Sequence, residues 1–429
     1  MKTKIGLSSA TSLVVSAMIG TGVYTSLGFQ VIGIQSVAAL LLLWIVGGLV
    51  ALCGAMVYGE IGSVLQGSGG EYNYLSKIYH PVVGFMSGFV SATVGFAAPV
   101  ALSSMAFGKY VSTFYSGISS EWLATILILL VGLLQLGGIK PGAVFQRFST
   151  TINLILIVLF VVFGLILGPH RSFDTSLGLE NIDQVFSAAF AISLVYVSYS
   201  YSGWNSSAYI AGEIDKPEKN LPLSLFGGTA IVTLLYLTLN FTFLYTVPVA
   251  DLAGKVEVGH VAANAIWGID GAKIVSALIA LGLLASVNAM SLIGPRVTKT
   301  IAHDFNVLNI FTKESKTGSP VAAQLLQTAV ALLLVYTSTF EHVMAFIGFT
   351  LSLFTCLTVG GVFVLRNKFP NSAGFKTWAY PITPLFFLVV DILMMAYVFF
   401  NNPWQSLAGL GTALLGAVVF FFSLRLKAS

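Results

Sequence analysis

Apolar runs of about 20 residues recur along the whole chain, and each run is long enough for one helix to cross the hydrocarbon core of a bilayer. Only 8% of the 429 residues are charged, whereas soluble domains carry about 25%. A surface with so few charged side chains is not suited to water. The sequence therefore predicts an all-α integral membrane protein.

Turn-forming residues separate the apolar runs and divide the chain into twelve predicted spanning helices, called spans 1 to 12 below. The spans cover 8–32, 36–58, 81–108, 121–139, 146–168, 183–211, 223–248, 272–298, 320–338, 342–365, 382–400 and 404–424. One of the predicted turns is Lys140-Pro-Gly142, between spans 4 and 5.

The lysines and arginines are divided unequally between the two faces of this arrangement. With the N-terminus on the cytoplasmic side, 16 of the 20 basic residues lie on that side, and the outer side holds four. These four are Lys109, Arg171, Lys255 and Lys273. Basic residues accumulate in cytoplasmic loops, so we expect a multi-pass protein of the cell membrane with both termini in the cytoplasm. The net charge of +4 is scattered over short loops and indicates no nucleic-acid partner.

Spans 1 and 6 each contain a cluster of glycine and small polar residues well inside the apolar run. The clusters lie within 16–24 and 199–207. Such residues lower helix propensity and can bond a freed backbone, which predicts local unwinding. The alternative is a small-residue face for close helix packing. Because the interruptions are five spans apart, they occupy matching positions of two inverted five-helix repeats, a pattern that indicates a transporter's central site.

An unwound segment exposes N–H groups at the start of one half-helix and carbonyl oxygens at the end of the other. The N–H end attracts a carboxylate, and the carbonyl end attracts an ammonium group. A zwitterionic amino acid presents both groups. Two interrupted helices can therefore bind its head without placing a charged side chain in the bilayer, where such charges are costly.

Four motifs, in order along residues 8–300, resemble those of the amino acid–polyamine–organocation (APC) transporters. They are Met18-Ile-Gly-Thr-Gly-Val-Tyr24, Ser68-Gly-Gly-Glu-Tyr72, Tyr199-Ser-Tyr-Ser-Gly-Trp-Asn205, and Ser286-Val-Asn288 with Gly294-Pro-Arg296. The stretch at and after span 6 is most similar to the L-type amino acid transporter branch and its bacterial relatives. The resemblance implies a five-plus-five inverted repeat, 1–168 and 183–365, with helices 1 and 6 broken and two extra helices in 382–429.

The resemblance also implies the residues of a substrate site. Thr21 and Gly22 would offer N–H groups and a hydroxyl to the carboxylate, and Tyr199 would form an aromatic gate. The carbonyls of Met18, Tyr199, Ser200 and Ser202 would receive the ammonium group. Trp204 is interpreted as a packing residue. The full predicted substrate-binding set is Met18, Ile19, Gly20, Thr21, Gly22, Tyr199, Ser200 and Ser202.

Asn153 departs from the family pattern. Most of the L-type branch carries a lysine at this position of helix 5, and its ammonium occupies the place of a sodium ion in sodium-coupled relatives. The resemblance implies neighbours at Ser16, Ile19 and Ser286, which makes these residues a possible cation position. Three outcomes stay open: a bound sodium ion, a proton coupled elsewhere, or helix dipoles alone in an exchanger or uniporter, which is the interpretation we adopt. Asn153 could also be a simple hydrogen-bonding residue.

The acidic residues bear on the substrate. Only Asp391 lies deep in a span, and because span 11 is outside the ten-helix core, we expect a structural or subunit-facing role, with proton coupling as the alternative. No carboxylate is then expected at mid-depth to pair with the side chain of a lysine or arginine substrate, which favours neutral amino acids as substrates. The choice of amino acid, the direction of flux and any partner subunit are left open.

Other functional classes find little support in the sequence. No His-Glu-x-x-His motif is present, and no candidate base accompanies a buried serine, so an intramembrane enzyme is not predicted. Cys53 and Cys356 lie in separate apolar runs and indicate neither a disulfide nor a metal site. No cofactor is expected beyond a coupled Na⁺ or H⁺. A channel would need a continuous polar path, whereas paired interruptions predict one enclosed site.

Overall fold

The structure, a computed structural model, describes residues 4–137, 143–169, 171, 183–316 and 318–428. Helices dominate this part of the chain. Its β-type pairing is limited to two isolated bridges, Ile5 with Ile214 and Glu314 with Pro320. The all-α prediction is confirmed. The predicted turn at 140–142 lies outside the described residues.

The α-helices follow the predicted spans. In chain order they are α1 (Leu7–Met18), α2 (Gly22–Thr25), α3 (Leu27–Gly33), α4 (Val37–Leu65), α5 (Glu71–Ile78), α6 (Pro81–Val90), α7 (Ala97–Ser112), α8 (Ser120–Leu136), α9 (Ala143–Leu167), α10 (Ala188–Tyr201), α11 (Pro217–Thr246), α12 (Val249–Leu252), α13 (Val258–Asp304), α14 (Val321–Thr337), α15 (Phe340–Lys368), α16 (Ile382–Asn401) and α17 (Pro403–Ala428). A π-helical turn, Ser91–Gly95, joins α6 to α7, and 3₁₀ helices cover Ser206–Glu213 and Asn306–Thr312.

Eight helical segments of the described chain are long and apolar enough to cross a membrane, which agrees with a multi-pass protein. They are Leu7–Thr25, Val37–Leu65, Pro81–Ser112, Pro217–Thr246, Val258–Asp304, Phe340–Lys368, Ile382–Asn401 and Pro403–Ser423. Three shorter apolar helices, Ser120–Leu136, Thr151–Leu167 and Val321–Thr337, coincide with spans 4, 5 and 9. The count of twelve crossings, the repeat boundaries and the inverted symmetry stay predictions.

One predicted helix start is wrong. Span 7 begins at Pro217 rather than 223, because proline at the first helical position needs no N–H partner and has a suitable φ. The predicted start of span 8 agrees with the structure to within a few residues, because the helical segment of this span follows a kink at Gly268, whose φ of 71° is favourable only for glycine. A separate helical segment that begins at Val258 precedes the kink.

Helix packing brings the two interruptions to the centre of the bundle. Helix α11 packs along α1 and α4, and α13 packs along α7 and α9. Helix α16, expected to lie outside the ten-helix core, packs against α4, α10 and α15. One face of α16 therefore belongs to the interior that surrounds the interrupted helices.

Candidate functional site at two interrupted helices

Span 1 is interrupted between α1 and α2, as predicted. Helix α1 ends at Met18, Ile19 has an extended backbone with φ −74° and ψ 99°, and helical structure resumes at Gly22. The N–H of Ile19 still donates to the carbonyl of Val15 at 3.1 Å. In the first turn of α2 the N–H of Tyr24 donates to the carbonyl of Thr21 at 3.2 Å, so the N–H groups of Gly22 and Val23 are the ones that this half-helix could offer to a ligand.

Span 6 is interrupted after α10, also as predicted. Helix α10 ends at Tyr201, Ser202 is non-helical with ψ 145°, and Gly203 has a φ of 99°. A side chain at position 203 would be strained by this φ, and its Cβ would lie 2.6 Å from the carbonyl oxygen of Ala17. Glycine therefore lets the interrupted segment of span 6 lie directly on the end of α1.

The two interrupted helices touch at Gly22 and Ser200. A Cβ at position 22 would lie 2.5 Å from the Cα of Ser200, so only glycine fits there. The Ser200 hydroxyl donates to the carbonyl of Tyr196 at 2.8 Å and lies 3.0 Å from the hydroxyl of Ser26. The structure thus brings together one residue from each half of the predicted site.

A chain of hydroxyl groups leads from the interruption in span 1 to two other helices. The Thr21 hydroxyl lies 2.6 Å from that of Ser103 on α7, which lies 3.3 Å from that of Ser286 on α13. The Tyr199 side chain also interacts with the Thr21 hydroxyl. The sequence contains Ser103 in a run of small residues, but no local signal indicates that its hydroxyl meets Thr21.

Two of the carbonyl oxygens predicted to receive an ammonium group already accept hydrogen bonds. The hydroxyl of Tyr236 on α11 donates to the Met18 oxygen at 2.6 Å, and the N–H of Ser202 donates to the Tyr199 oxygen at 3.0 Å. A carbonyl oxygen has two lone pairs, so each can accept one further donor. Sequence reasoning missed Tyr236, which is an ordinary aromatic residue in an apolar run.

Only some of the residues predicted for the possible cation position lie close to the interruption in span 1. Ser286 faces the interruption, since a Cβ at Gly20 would lie 3.9 Å from its hydroxyl oxygen. Asn153 presses against Gly282, one helical turn before Ser286, and its buried Oδ1 has no hydrogen-bond partner among the described residues. The Ser16 hydroxyl donates to the carbonyl of Leu13 in its own helix, and Ile19 is buried.

A cavity of about 350 Å³ adjoins the interruption in span 6. Ser202, Gly203, Trp204 and Asn205 line it, together with residues of α1, α4, α7, α10, α13, α15 and α16. Tyr199 also lines the cavity, whereas Thr21, Gly22 and Ser200 do not. The interruption in span 1 is therefore packed against protein, while the interruption in span 6 faces open space.

Tyr199 and Trp204 are both largely buried, with 7% of each side chain exposed. The Trp204 ring packs edge-on against Tyr58, with the ring centres 4.7 Å apart, and also contacts Phe387. This packing accords with the interpretation of Trp204 as a packing residue, although the ring also lines the cavity. The gate role of Tyr199 stays a prediction.

The expectation that no carboxylate is available at mid-depth is wrong for Asp391, which lines the cavity together with Glu71. Asp391 is interior because α16 packs against α4 and α10. Its carboxylate accepts a hydrogen bond from the Cys356 thiol at 3.1 Å. Glu71 begins α5, and the position of that short helix between the longer ones cannot be read from a local pattern. No basic side chain is among the described residues that line the cavity.

Glu71 is the more strongly bonded of the two acids. Its Oε1 accepts hydrogen bonds from the Tyr58 hydroxyl at 2.6 Å and from the Asn205 amide at 3.2 Å. Burial raises the pKa of the Glu71 carboxyl to about 7, although these hydrogen bonds favour the ionised form and oppose the shift. The Ser68–Tyr72 motif signalled this residue, but not its contact with the interrupted helix.

Known amino acid transporters are similar in sequence to this chain along nearly its whole length. The family model for amino acid permeases matches residues 5–422. The serine/threonine exchanger SteT of Bacillus subtilis (strain 168) is 27% identical over 438 residues, which cover 100% of this chain and 98% of the relative. The human large neutral amino acids transporter small subunit 2 is 26% identical over 98% of this chain and 80% of its own length. The human b(0,+)-type amino acid transporter 1 is 23% identical, with coverages of 100% and 89%.

Proposed function

Because the chain belongs to the amino acid permease family of the APC superfamily, whose members are transporters and not enzymes, we propose that it exchanges neutral amino acids across the cell membrane by alternating access. The observation that carries the proposal is the contact between two interrupted helices, Gly22 on Ser200, beside the cavity. A relative named as an exchanger supports exchange as the mode.

The substrate head would bind between the two helix ends. The first-turn N–H groups of α2 would receive the carboxylate, and the carbonyls of Met18, Tyr199, Ser200 and Ser202 would receive the ammonium group. Because Gly22 packs directly on Ser200, the helices must separate slightly to admit a ligand. The Ser26–Ser200 and Thr21–Ser103 hydroxyl contacts are the ones we expect the substrate to replace.

Neutral side chains are supported by two observations. The names of two relatives specify serine and threonine, or large neutral amino acids, as their substrates. In the cavity, Glu71 and Asp391 each accept hydrogen bonds from this chain, so neither carboxyl group requires a cationic substrate as its partner. The apolar part of the wall, including Trp204 and Phe387, would cover the substrate side chain.

The opposite side of the bundle is closed. The N–H of Gly254 donates to the carbonyl of Gly28 at 2.8 Å, and the Tyr110 hydroxyl joins the carbonyl of Tyr24 to the N–H of Gly259, at 2.8 and 3.0 Å. The predicted topology assigns this side to the outside and Glu71 to the cytoplasmic side. We therefore infer an inward-facing state in which the cavity is the cytoplasmic entrance.

The orientation has a direct test. Asn371 is exposed in the loop after α15, which the predicted topology assigns to the cytoplasm. In Asn371→Cys, a membrane-impermeant thiol reagent should label the protein only after the cells are permeabilised. The wild type, whose two cysteines lie within helices, is the control. Labelling of Asn371→Cys in intact cells would reverse the assignment.

The function is tested by counterflow in liposomes that contain the purified protein. Internal unlabelled amino acid should accelerate uptake of external labelled amino acid, uptake should saturate, and only certain neutral amino acids should support it. Methyl esters and N-acetyl derivatives of the best substrate should fail to compete, because each lacks one of the two charged groups. Equal competition by these derivatives would contradict recognition by the helix ends, and unsaturable flux would favour a channel.

A further inference from the structure

The Glu71 carboxyl joins two parts of the bundle at the edge of the cavity. Tyr58, which donates to it, belongs to the continuous helix α4, and Asn205, which also donates to it, follows the interruption in span 6. The same Tyr58 ring packs on Trp204, the neighbour of Asn205. The hydrogen bonds of one carboxyl oxygen therefore hold the non-helical segment of span 6 against α4.

Among the described residues, no basic side chain forms an ion pair with this carboxyl. The groups that face it from the surrounding elements are Tyr58 of α4, Ser87 of α6, and Asn205 and Tyr209 beyond α10. Lys77, which belongs to the same short helix, donates to the carbonyl of Leu65 at the end of α4, and Lys368 donates to the carbonyl of Ile78 at the end of α5. An acid that is 95% buried without a cation is poised to take up a proton.

The protonation state changes how firmly Asn205 is held. An ionised carboxylate accepts charge-assisted hydrogen bonds, which are about twice as strong as those between neutral groups. A protonated carboxyl group keeps its carbonyl oxygen as an acceptor but loses the charge. Protonation therefore weakens the hold on Asn205 without removing the contact.

We propose that Glu71 is a proton-binding site of the transport cycle and that proton uptake there loosens the segment of span 6 after its interruption. The inference rests on the proposed exchange function and adds the proton as the ion that controls it. The raised pKa of the Glu71 carboxyl, about 7, agrees with this role because both protonation states are then populated near neutral pH.

The experiment measures exchange at equal pH on both sides of the liposome membrane, from about pH 5.5 to about pH 8.5, a range that brackets the titration of this carboxyl. Wild-type exchange should be several-fold faster at the acidic end, with a midpoint near the pKa of Glu71. Glu71→Gln, which imitates the protonated side chain, should be as fast at high pH as at low pH. Asp391→Asn, which alters the other acid in the cavity, is the matched control and should keep the pH step.

A second variant should move the midpoint of the pH dependence of exchange instead of abolishing that dependence. The Tyr58 hydroxyl stabilises the ionised carboxylate, so Tyr58→Phe should raise the Glu71 pKa and move the midpoint of the profile to higher pH. A purely structural role for Glu71 predicts no such movement. This variant keeps the proposal testable if Glu71→Gln fails to fold.

Failure of the Glu71 proposal and failure of the proposed transport function would give different results. Exchange that is independent of pH in the wild type, or a pH step that persists unchanged in Glu71→Gln, would overturn the Glu71 proposal and leave the exchanger intact. Absence of exchange for every amino acid at every pH would overturn the transport proposal and this inference together.

Discussion

The two interrupted helices share a composition of glycine and small polar residues but differ in what surrounds them. The interruption in span 1 is short, and its Thr21 and Gly22 are buried against Ser103 and Ser200. The interruption in span 6 is longer, passes into a 3₁₀ helix, and lines the cavity with Ser202 to Asn205. One is the packed half of the candidate site and the other is its open half.

Glycine has two separate uses in these interrupted segments. At Gly22 the missing side chain allows backbone to approach backbone, because any Cβ would meet Ser200. At Gly203 the positive φ turns the chain out of the helix and along the cavity wall. Mobility of the site would then come mainly from span 6, while span 1 supplies a fixed set of N–H groups.

The largest expected effect tests the packed half. Gly22→Ala should abolish exchange, since the new Cβ must push Ser200 and its backbone away, and overpacking of this kind costs about 1–3 kcal/mol. Gly227→Ala in α11 is the matched control, because a Cβ at that position would meet no heavy atom within 4 Å. Counterflow and the melting temperature of both variants give the measurement. If Gly227→Ala is as damaging as Gly22→Ala, the packed contact is not the cause.

The next prediction tests which aromatic residue covers the substrate. Tyr199→Ala should reduce exchange about tenfold or more, because the side chain interacts with the Thr21 hydroxyl and the residue lines the cavity. A tenfold loss corresponds to about 1.4 kcal/mol. Trp204→Phe should reduce it far less, since a phenyl ring can still pack on Tyr58 and Phe387. Equal, mild effects on the apparent substrate affinity would make Tyr199 a packing residue.

A smaller effect on exchange is expected from removing sodium and from changing Asn153. This prediction tests whether the site at span 1 needs a cation. Replacing sodium by choline should leave wild-type exchange unchanged. The partial charges at the helix ends would balance the charged groups of the substrate head without a sodium ion. Asn153→Lys should then lower exchange, since a lysine must fit where Asn153 already presses on Gly282. A wild type that requires sodium, combined with a lysine variant that transports without it, would instead assign a cation position to Asn153.

The smallest expected effect concerns the carbonyl end of span 1. Tyr236→Phe removes the donor to the Met18 oxygen, a loss of about 0.5–1.5 kcal/mol that should change the apparent substrate affinity about two- to tenfold. Tyr201→Phe removes a similar hydroxyl, which donates to the carbonyl of Trp44 instead, and serves as the control. Indistinguishable affinities in the two variants would show that the Met18 oxygen takes no part in binding.

Local chemistry in the sequence determined much of this protein. Long apolar runs with few charges dictate membrane-crossing helices, and the glycine and serine clusters at 16–24 and 199–207 dictate where two of them unwind, because helix propensity and backbone hydrogen bonding act within a few residues. Unwinding is a short-range property, so a single sequence reveals it. The resemblance of these clusters to transporter motifs implied Gly22, Tyr199 and Ser202 as candidate site residues, and that role stays a prediction.

Contacts between side chains that are distant in the sequence depend on how the helices pack. Tyr236 reaches Met18 across 218 residues of sequence, and Ser200 reaches Ser26 across 174. Asp391 and Glu71 face the cavity because α16 and α5 pack inward, and neither has a local pattern that says so. In an apolar chain nearly every helix face can be buried, so hydropathy does not select the partner of each face. Packing between distant helices makes that selection, and it determined which acids and hydroxyl groups surround the interrupted helices.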